Sequence, residues 1–175
     1  MERNRRKGNR IPGYNYSKAG AYFLTICTLD RKPILSEICV GTGLPDCPNH
    51  PNLMLSAYGK IAEKYVKQLD EFYHHISVDK YIIMPDHVHL LVRISYETGQ
   101  SGTPVPTEKI SKNSEISKFV STFKRFCNRE YGINIWQNRY YDHVVRNQQD
   151  YNEIWEYIEN NPRKWMIMHA KDQDE

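Results

Sequence analysis

His87 and His89 are separated by a single valine within Met84-Pro85-Asp86-His87-Val88-His89-Leu90-Leu91-Val92. A run this rich in Leu and Val favours a β-strand, and alternate residues of a strand project to the same face. Both imidazoles therefore point to one side, while Val88 and Leu90 pack on the other. Two parallel imidazoles with an apolar anchor behind them make half of a divalent-metal site. The remaining donors have to come from elsewhere in the chain.

Near the C-terminus, Tyr151, Ile154, Trp155 and Ile158 recur at helical spacing. At about 100° per residue, Tyr157 and Asn161 lie roughly 110° and roughly 70° from the centre of that stripe, on one flank. Residues four apart stack on one helix face, so this phenol and this amide can meet the same point in space. If the helix crosses the histidine strand, one small volume contains two imidazoles, an amide oxygen and a phenol. That set suits phosphodiester chemistry: a cation polarises a non-bridging phosphate oxygen while the tyrosine oxygen attacks phosphorus, storing the bond as phosphotyrosine. A free phenol, with a pKa near ~10, is a poor nucleophile at neutral pH, and nearby positive charge favours its phenolate. Each residue also has an ordinary reading: a half-exposed histidine face, one packing tyrosine among 13, an asparagine that ends a helix before Pro162.

The elements that must position these groups follow from periodicity. Residues 22–28, rich in aromatic and β-branched types, read as a first strand. Residues 41–52 hold three prolines and two glycines and read as a loop. Ser56 is a plausible N-cap for a helix whose apolar stripe runs Tyr58, Ile61, Ala62, Tyr65, Val66, Leu69 and Phe72. Residues 76–83 form a second strand, turned by Met84-Pro85-Asp86 into the histidine strand.

Residues 97–114 are polar and rich in Gly, Ser, Thr and Pro, a loop. From about Asn113 a second helix is predicted, with Ile116, Phe119, Val120, Phe123 and Cys127 as its stripe and Gly132 as its C-cap. Residues 135–145 are a fourth strand candidate. The last helix is expected to start near Asn147, with Asp150 three residues on as in a capping box, and to end before Pro162. The order β-α-β-β-α-β plus one helix predicts an α+β, ferredoxin-like split βαβ fold. Its antiparallel sheet carries helices on one face, and the extra C-terminal helix carries the tyrosine.

At 175 residues the chain reads as one domain, 13–165, flanked by a basic arm (1–12) and a short tail (166–175). Net charge is only +3, but Arg3, Arg5, Arg6, Lys7 and Arg10 crowd the first ten residues, which suits a polyanion partner or a solubilising tail. Mean hydropathy is −0.72. No run approaches the ~20 apolar residues of a membrane span, and the N-terminus has no secretory signal pattern, so a cytoplasmic protein is expected. Cys27, Cys39, Cys47 and Cys127 lack metal-knuckle spacing and read as reduced thiols, with a zinc site at Cys39, Cys47 and His50 as the alternative.

Three stretches together resemble the HUH single-tyrosine transposases of the smallest insertion sequences, in particular the REP-associated tyrosine transposases. They are residues 84–92, then Trp136-Gln137-Asn138-Arg139-Tyr140-Tyr141-Asp142-His143, then Tyr157-Ile158-Glu159-Asn160-Asn161-Pro162. The resemblance spans residues 13–165. It implies that His87 and His89 bind Mg²⁺ or Mn²⁺ with Asn161 as a third protein ligand. It implies that Tyr157 is the nucleophile, cleaving and rejoining single-stranded DNA at hairpins through a 5′-phosphotyrosine and a free 3′-OH. Mn²⁺ tolerates imidazole better than Mg²⁺, which prefers oxygen.

Candidate DNA contacts are Arg3, Arg5, Arg6 and Arg10 on the arm, Lys118, Lys124, Arg125 and Arg129 on the second helix, and Arg139 and Arg146 near the fourth strand. Trp136, Tyr140 and Tyr141 are candidate stacking platforms for unpaired bases. Monomer and homodimer are both compatible with the sequence. Two other functions stay open: a domesticated, non-catalytic nucleic-acid-binding module of the same fold, and an unrelated metal hydrolase using water as nucleophile.

Overall fold

A computed structural model describes residues 14–39, 52–96 and 114–170. The elements are β1 (Gly20–Cys27), β2 (Ser36–Cys39), β3 (Asn52–Leu55), α1 (Ala57–Phe72), β4 (Ile76–Ile83), β5 (His87–Ile94), α2 (Glu115–Tyr131), β6 (Tyr141–Val144) and α3 (Gln148–Ala170). The main sheet has the order β4-β5-β1-β6, with β5 antiparallel to β4 and β1, and β6 antiparallel to β1. This is the ferredoxin-like arrangement that the element order predicts.

The strand period divides the sheet into two chemically distinct faces. Leu24 and Ile26 of β1 and Val88, Leu90 and Val92 of β5 are fully buried in one cluster with Ala62, Val66 and Leu69 of α1 and Ile116, Phe119, Val120 and Phe123 of α2. Each of these side chains larger than alanine contributes about 1.5–3 kcal/mol of burial free energy, so this face holds the main core. The opposite face carries Ala21, Phe23 and Leu91, covered by Ile154 and Ile158 of α3. His87 and His89 lie on that second face by the same alternation.

The helix ends follow local rules. Ser56 caps α1 by accepting the Gly59 N–H at 3.1 Å. Ser114 caps α2 through the Ser117 N–H at 3.2 Å, and Gly132 closes it with φ 74°, the left-handed conformation glycine adopts freely. Asn147 Oδ1 accepts the Asp150 N–H at 2.9 Å at the start of α3.

Three sequence expectations are corrected. Residues 36–39 and 52–55 form a small antiparallel hairpin that composition did not reveal; the loop predicted at 41–52 lies almost wholly outside the described residues, as does most of 97–114. The fourth strand is confined to Tyr141–Val144. Before it, Trp136 makes a single bridge to Thr28, and the carbonyls of Gln137, Asn138 and Arg139 turn onto the Lys124 ammonium at 2.7, 3.4 and 3.3 Å instead of onto a neighbouring strand. Finally, α3 does not stop before Pro162 but continues through it to Ala170. Pro162 has no N–H for the Ile158 carbonyl. Asn161 and Pro162 are both buried, and Trp165 beyond them packs on His87 with ring centroids 6.0 Å apart. Tertiary packing thus offsets the lost hydrogen bond. Among the described residues, no helix is long and apolar enough to cross a membrane.

Candidate active site

The register of the sheet sets the floor of the site. His89, Thr25 and Tyr141 lie in one row across β5, β1 and β6, and Leu91, Phe23 and His143 lie in the next. α3 passes above them. Between helix and sheet is a cavity of about 1210 Å³ whose lining includes His87, His89, Tyr157, Asn161, Arg31 and Lys164.

Tyr157 stands over this floor. Its ring meets His89 at 5.3 Å between centroids and Phe23 edge-on at 5.8 Å, while the Lys164 ammonium lies 4.8 Å from the ring centre. The tyrosine is 39% exposed, whereas His87, His89 and Asn161 are 5%, 4% and 6% exposed. A solvent-reachable phenol is therefore poised beside nearly dry imidazoles. The structure brings these four residues, distant in sequence, to a single cavity.

The histidines are held from behind. The Nδ1–H of His87 donates to Asp86 at 2.5 Å, and Asp86 is gripped by Arg31 Nε at 2.6 Å. Thr25 Oγ1 lies 2.9 Å from His89 Nδ1. The two Nε2 atoms face one another at 3.0 Å, a contact that needs one proton between them. His89 can supply it: the Thr25 hydroxyl donates to its Nδ1, and its Nε2–H donates to His87. Burial, together with the adjacent His87 and Arg31, pushes the His89 pKa down to about 2, so that ring is neutral.

This donor set fits a divalent cation. Two neighbouring ligands at about 2.1 Å and about 90° around an octahedral ion lie about 3 Å apart, which matches the Nε2 separation. Thr25 can accept as readily as donate, so His89 can shift its proton to Nδ1 and free Nε2. Hydrogen bonds from the outer ring nitrogen to carboxylate or hydroxyl are the usual support for metal-binding histidines. Among the described residues, no group of three His, Cys, Asp or Glu could hold a metal. A third protein donor at this pair would thus be of another type, such as the Asn161 amide.

The cationic residues picked from sequence fall elsewhere. Arg3, Arg5, Arg6 and Arg10 lie outside the described residues. Lys118, Lys124, Arg125 and Arg129 sit on α2, across the sheet from the histidines. Lys118 is paired with Glu115 at 2.7 Å. Lys124 is turned inward onto the loop carbonyls, and burial lowers its pKa to about 8. Arg125 and Arg129 are exposed on the outer surface, as are Arg139 and Arg146. Trp136 is buried against Phe123, so it is no base platform; Tyr140 packs against the main core, and Tyr141 is the aromatic of the three that lines the cavity.

Sequence reasoning assigns no role in the site to Thr25, Arg31, Asp86, His143, Asp150 or Lys164, although Asp86 and His143 lie in the stretches that carry the resemblance and Asp150 reads as part of a helix cap. For Lys164 the signal was present: it follows Tyr157 by two helical turns, but only if the helix is carried through Pro162.

No protein-family profile matches the chain. It is 25% identical over 151 residues, 86% of its length, to a Haemophilus influenzae protein provisionally named a REP-associated tyrosine transposase, covering 74% of that protein. A Haemophilus influenzae protein of no assigned function is 26% identical over 171 residues, covering 91% of this chain and 89% of the relative. Among solved structures, that of a REP-associated tyrosine transposase bound to a REP hairpin superposes with a TM-score of 0.59 at 19% identity, covering 94% of this chain and 74% of the other. The chain resembles the REP-associated tyrosine transposases in sequence and in fold.

Proposed function

We propose that this chain is a REP-associated tyrosine transposase, an endonuclease that cleaves and rejoins single-stranded DNA at hairpins through a 5′-phosphotyrosine. The observation that carries the reading is the ring of Tyr157 resting on His89, in one cavity with His87 and Asn161. It is supported by the likeness to the Haemophilus influenzae relative and to the hairpin-bound transposase.

In this reading His87, His89 and Asn161 would hold Mg²⁺ or Mn²⁺, and such an ion would supply positive charge to a non-bridging phosphate oxygen. Tyr157 supplies the nucleophilic oxygen. Phe23 and His89 pack against its ring, and the Lys164 ammonium lies 4.8 Å from the ring centre. Bond formation from Tyr157 to phosphorus releases the 3′ oxygen, and the covalent link conserves the phosphodiester energy for rejoining. Arg31 and Lys164, at the cavity wall, offer charge to the phosphate backbone.

The test uses a pool of hairpin oligonucleotides with single-stranded flanks, incubated with the protein and Mn²⁺. A denaturation-resistant adduct is expected, and mass spectrometry of its peptide should place the nucleotide on Tyr157. Tyr157→Phe should bind the pool but form no adduct. An undiminished adduct in that variant overturns the assignment.

A further inference from the structure

The cavity holds a third histidine that neither the nucleophile nor the cation site uses. His143 on β6 donates from Nε2 to the Asp150 carboxylate, whose oxygens lie at 2.9 and 3.1 Å. The same carboxylate accepts the Arg146 N–H at 2.9 Å, so its position is fixed by the chain entering α3. Burial raises the Asp150 pKa, but the Arg146 amide and the His143 ring more than offset this and hold it below its ordinary value. Both residues line the same cavity as Tyr157, with side chains 34% and 23% exposed. Since Asp150 holds Nε2, Nδ1 is the nitrogen left to exchange a proton.

The location matters as much as the pairing. Leu91, Phe23 and His143 form one row across β5, β1 and β6, so the histidine strand and His143 are about 10 Å apart, two strand spacings. Tyr157 rests on Phe23 and His89, toward the β5 side of that row. In-line displacement at phosphorus puts the attacking and leaving oxygens on opposite sides. A phosphate seated over Phe23 and attacked from the β5 side releases its 3′ oxygen toward β6.

We propose that His143, oriented by Asp150, is the proton donor to the departing 3′ oxygen; this rests on the phosphotyrosine reading above. As the Tyr157 oxygen bonds to phosphorus, its phenolic proton passes to solvent and the phosphorus–O3′ bond breaks. O3′ keeps the electron pair and takes the Nδ1 proton of the His143 imidazolium, whose charge Asp150 balances. On rejoining, neutral His143 takes the proton from the attacking 3′-OH. Asp150 is a positioning residue in this scheme, acting through the imidazole.

The experiment compares two hairpin substrates in Mn²⁺, one ordinary and one with sulfur replacing the 3′ oxygen at the linkage that the wild-type protein cuts. A thiolate departs without a proton. His143→Gln should cut the ordinary substrate about a hundredfold more slowly, yet cut the sulfur substrate near the wild-type rate. Asp150→Asn, which keeps an oxygen for the Arg146 amide, should show a smaller loss, again cured by sulfur; it serves as the test if His143→Gln does not fold. Equal loss on both substrates, or loss on neither, overturns the proposal and leaves the pair as an anchor for α3. Tyr157→Phe should form no adduct with either substrate; an adduct there overturns the nucleophile assignment instead, so the two failures are distinguishable.

Discussion

Arg31 grips Asp86 through its Nε at 2.6 Å, from a backbone with φ 56°. Asp30 before it has φ 55°, and two consecutive non-glycine residues in the left-handed region are uncommon. The turn is held by the Arg31 N–H on Thr28 O at 3.1 Å, and Arg31 Nη1 reaches Cys27 Sγ at 2.9 Å. Strain of this kind persists where the surroundings over-determine it. Here it delivers a guanidinium to the carboxylate that orients His87.

Arg31→Ala should therefore act on the imidazole pair without touching it. The expected outcome is a fall of about 10–100-fold in Mn²⁺ affinity, measured by calorimetry, with a stability loss of about 1–3 kcal/mol as buried Asp86 loses a donor. Unchanged Mn²⁺ affinity would restrict Arg31 to a role in its own turn.

Lys124 makes a pH-dependent prediction. Its pKa falls from 10.5 to about 8 on folding because burial disfavours the charged form. Between about pH 8 and 10.5 the unfolded chain binds more protons at this site, so its contribution to stability rises with pH across that window. Urea unfolding of wild type and Lys124→Met at pH 7 and pH 10 should show the difference moving in favour of wild type at the higher pH. A difference that does not change would mean the ammonium titrates as in solvent.

Gly59 lies inside α1, where alanine ordinarily stabilises a helix by about 1 kcal/mol. A Cβ at this position would meet the Leu35 carbonyl oxygen at 2.0 Å. The close approach is built in, since the Leu35 carbonyl also accepts the Ser56 N–H at 3.0 Å. Gly59→Ala should therefore destabilise, by about 1–3 kcal/mol, in thermal or urea unfolding. A stabilised variant would show that α1 can move away from the segment before β2.

Ile158 is fully buried between α3 and the sheet. Ile158→Ala should cost about 2–5 kcal/mol and also reduce adduct formation, since Tyr157 precedes it on the same helix. Full adduct yield from a destabilised variant would mean that DNA, rather than this contact, seats the helix.

Much of this was legible beforehand. The apolar stripe of α2 and the alternation around His87 and His89 are consequences of period, and period survives in sequence. The meeting of Tyr157 and Asn161 with the histidines was legible as a shared flank, because helix geometry is regular. What escaped depended on non-local contacts. Pro162 carries a local signal to stop, and the helix continues where Asn161 and Pro162 are buried and Trp165 packs on His87. Lys124 reads as a surface cation until the loop carbonyls of 137–139 are seen around it. His143 and Asp150 are seven positions apart and separated by a turn, so nothing in the spacing announces that they bond. Thr25 became visible only through the register that sets it opposite His89.

The two faces of the sheet are not equally committed. One is closed by α1 and α2, which carry the bulk of the buried apolar side chains, whereas the other is roofed by α3 alone, with Ile154 and Ile158 as its buried apolar anchors. The main core and the candidate site thereby occupy opposite sides of the same strands. On the proposed function, substitutions at exposed cavity-lining positions of the roof such as Lys164 would change how DNA is handled and leave the main core intact, whereas its buried anchors carry stability as well.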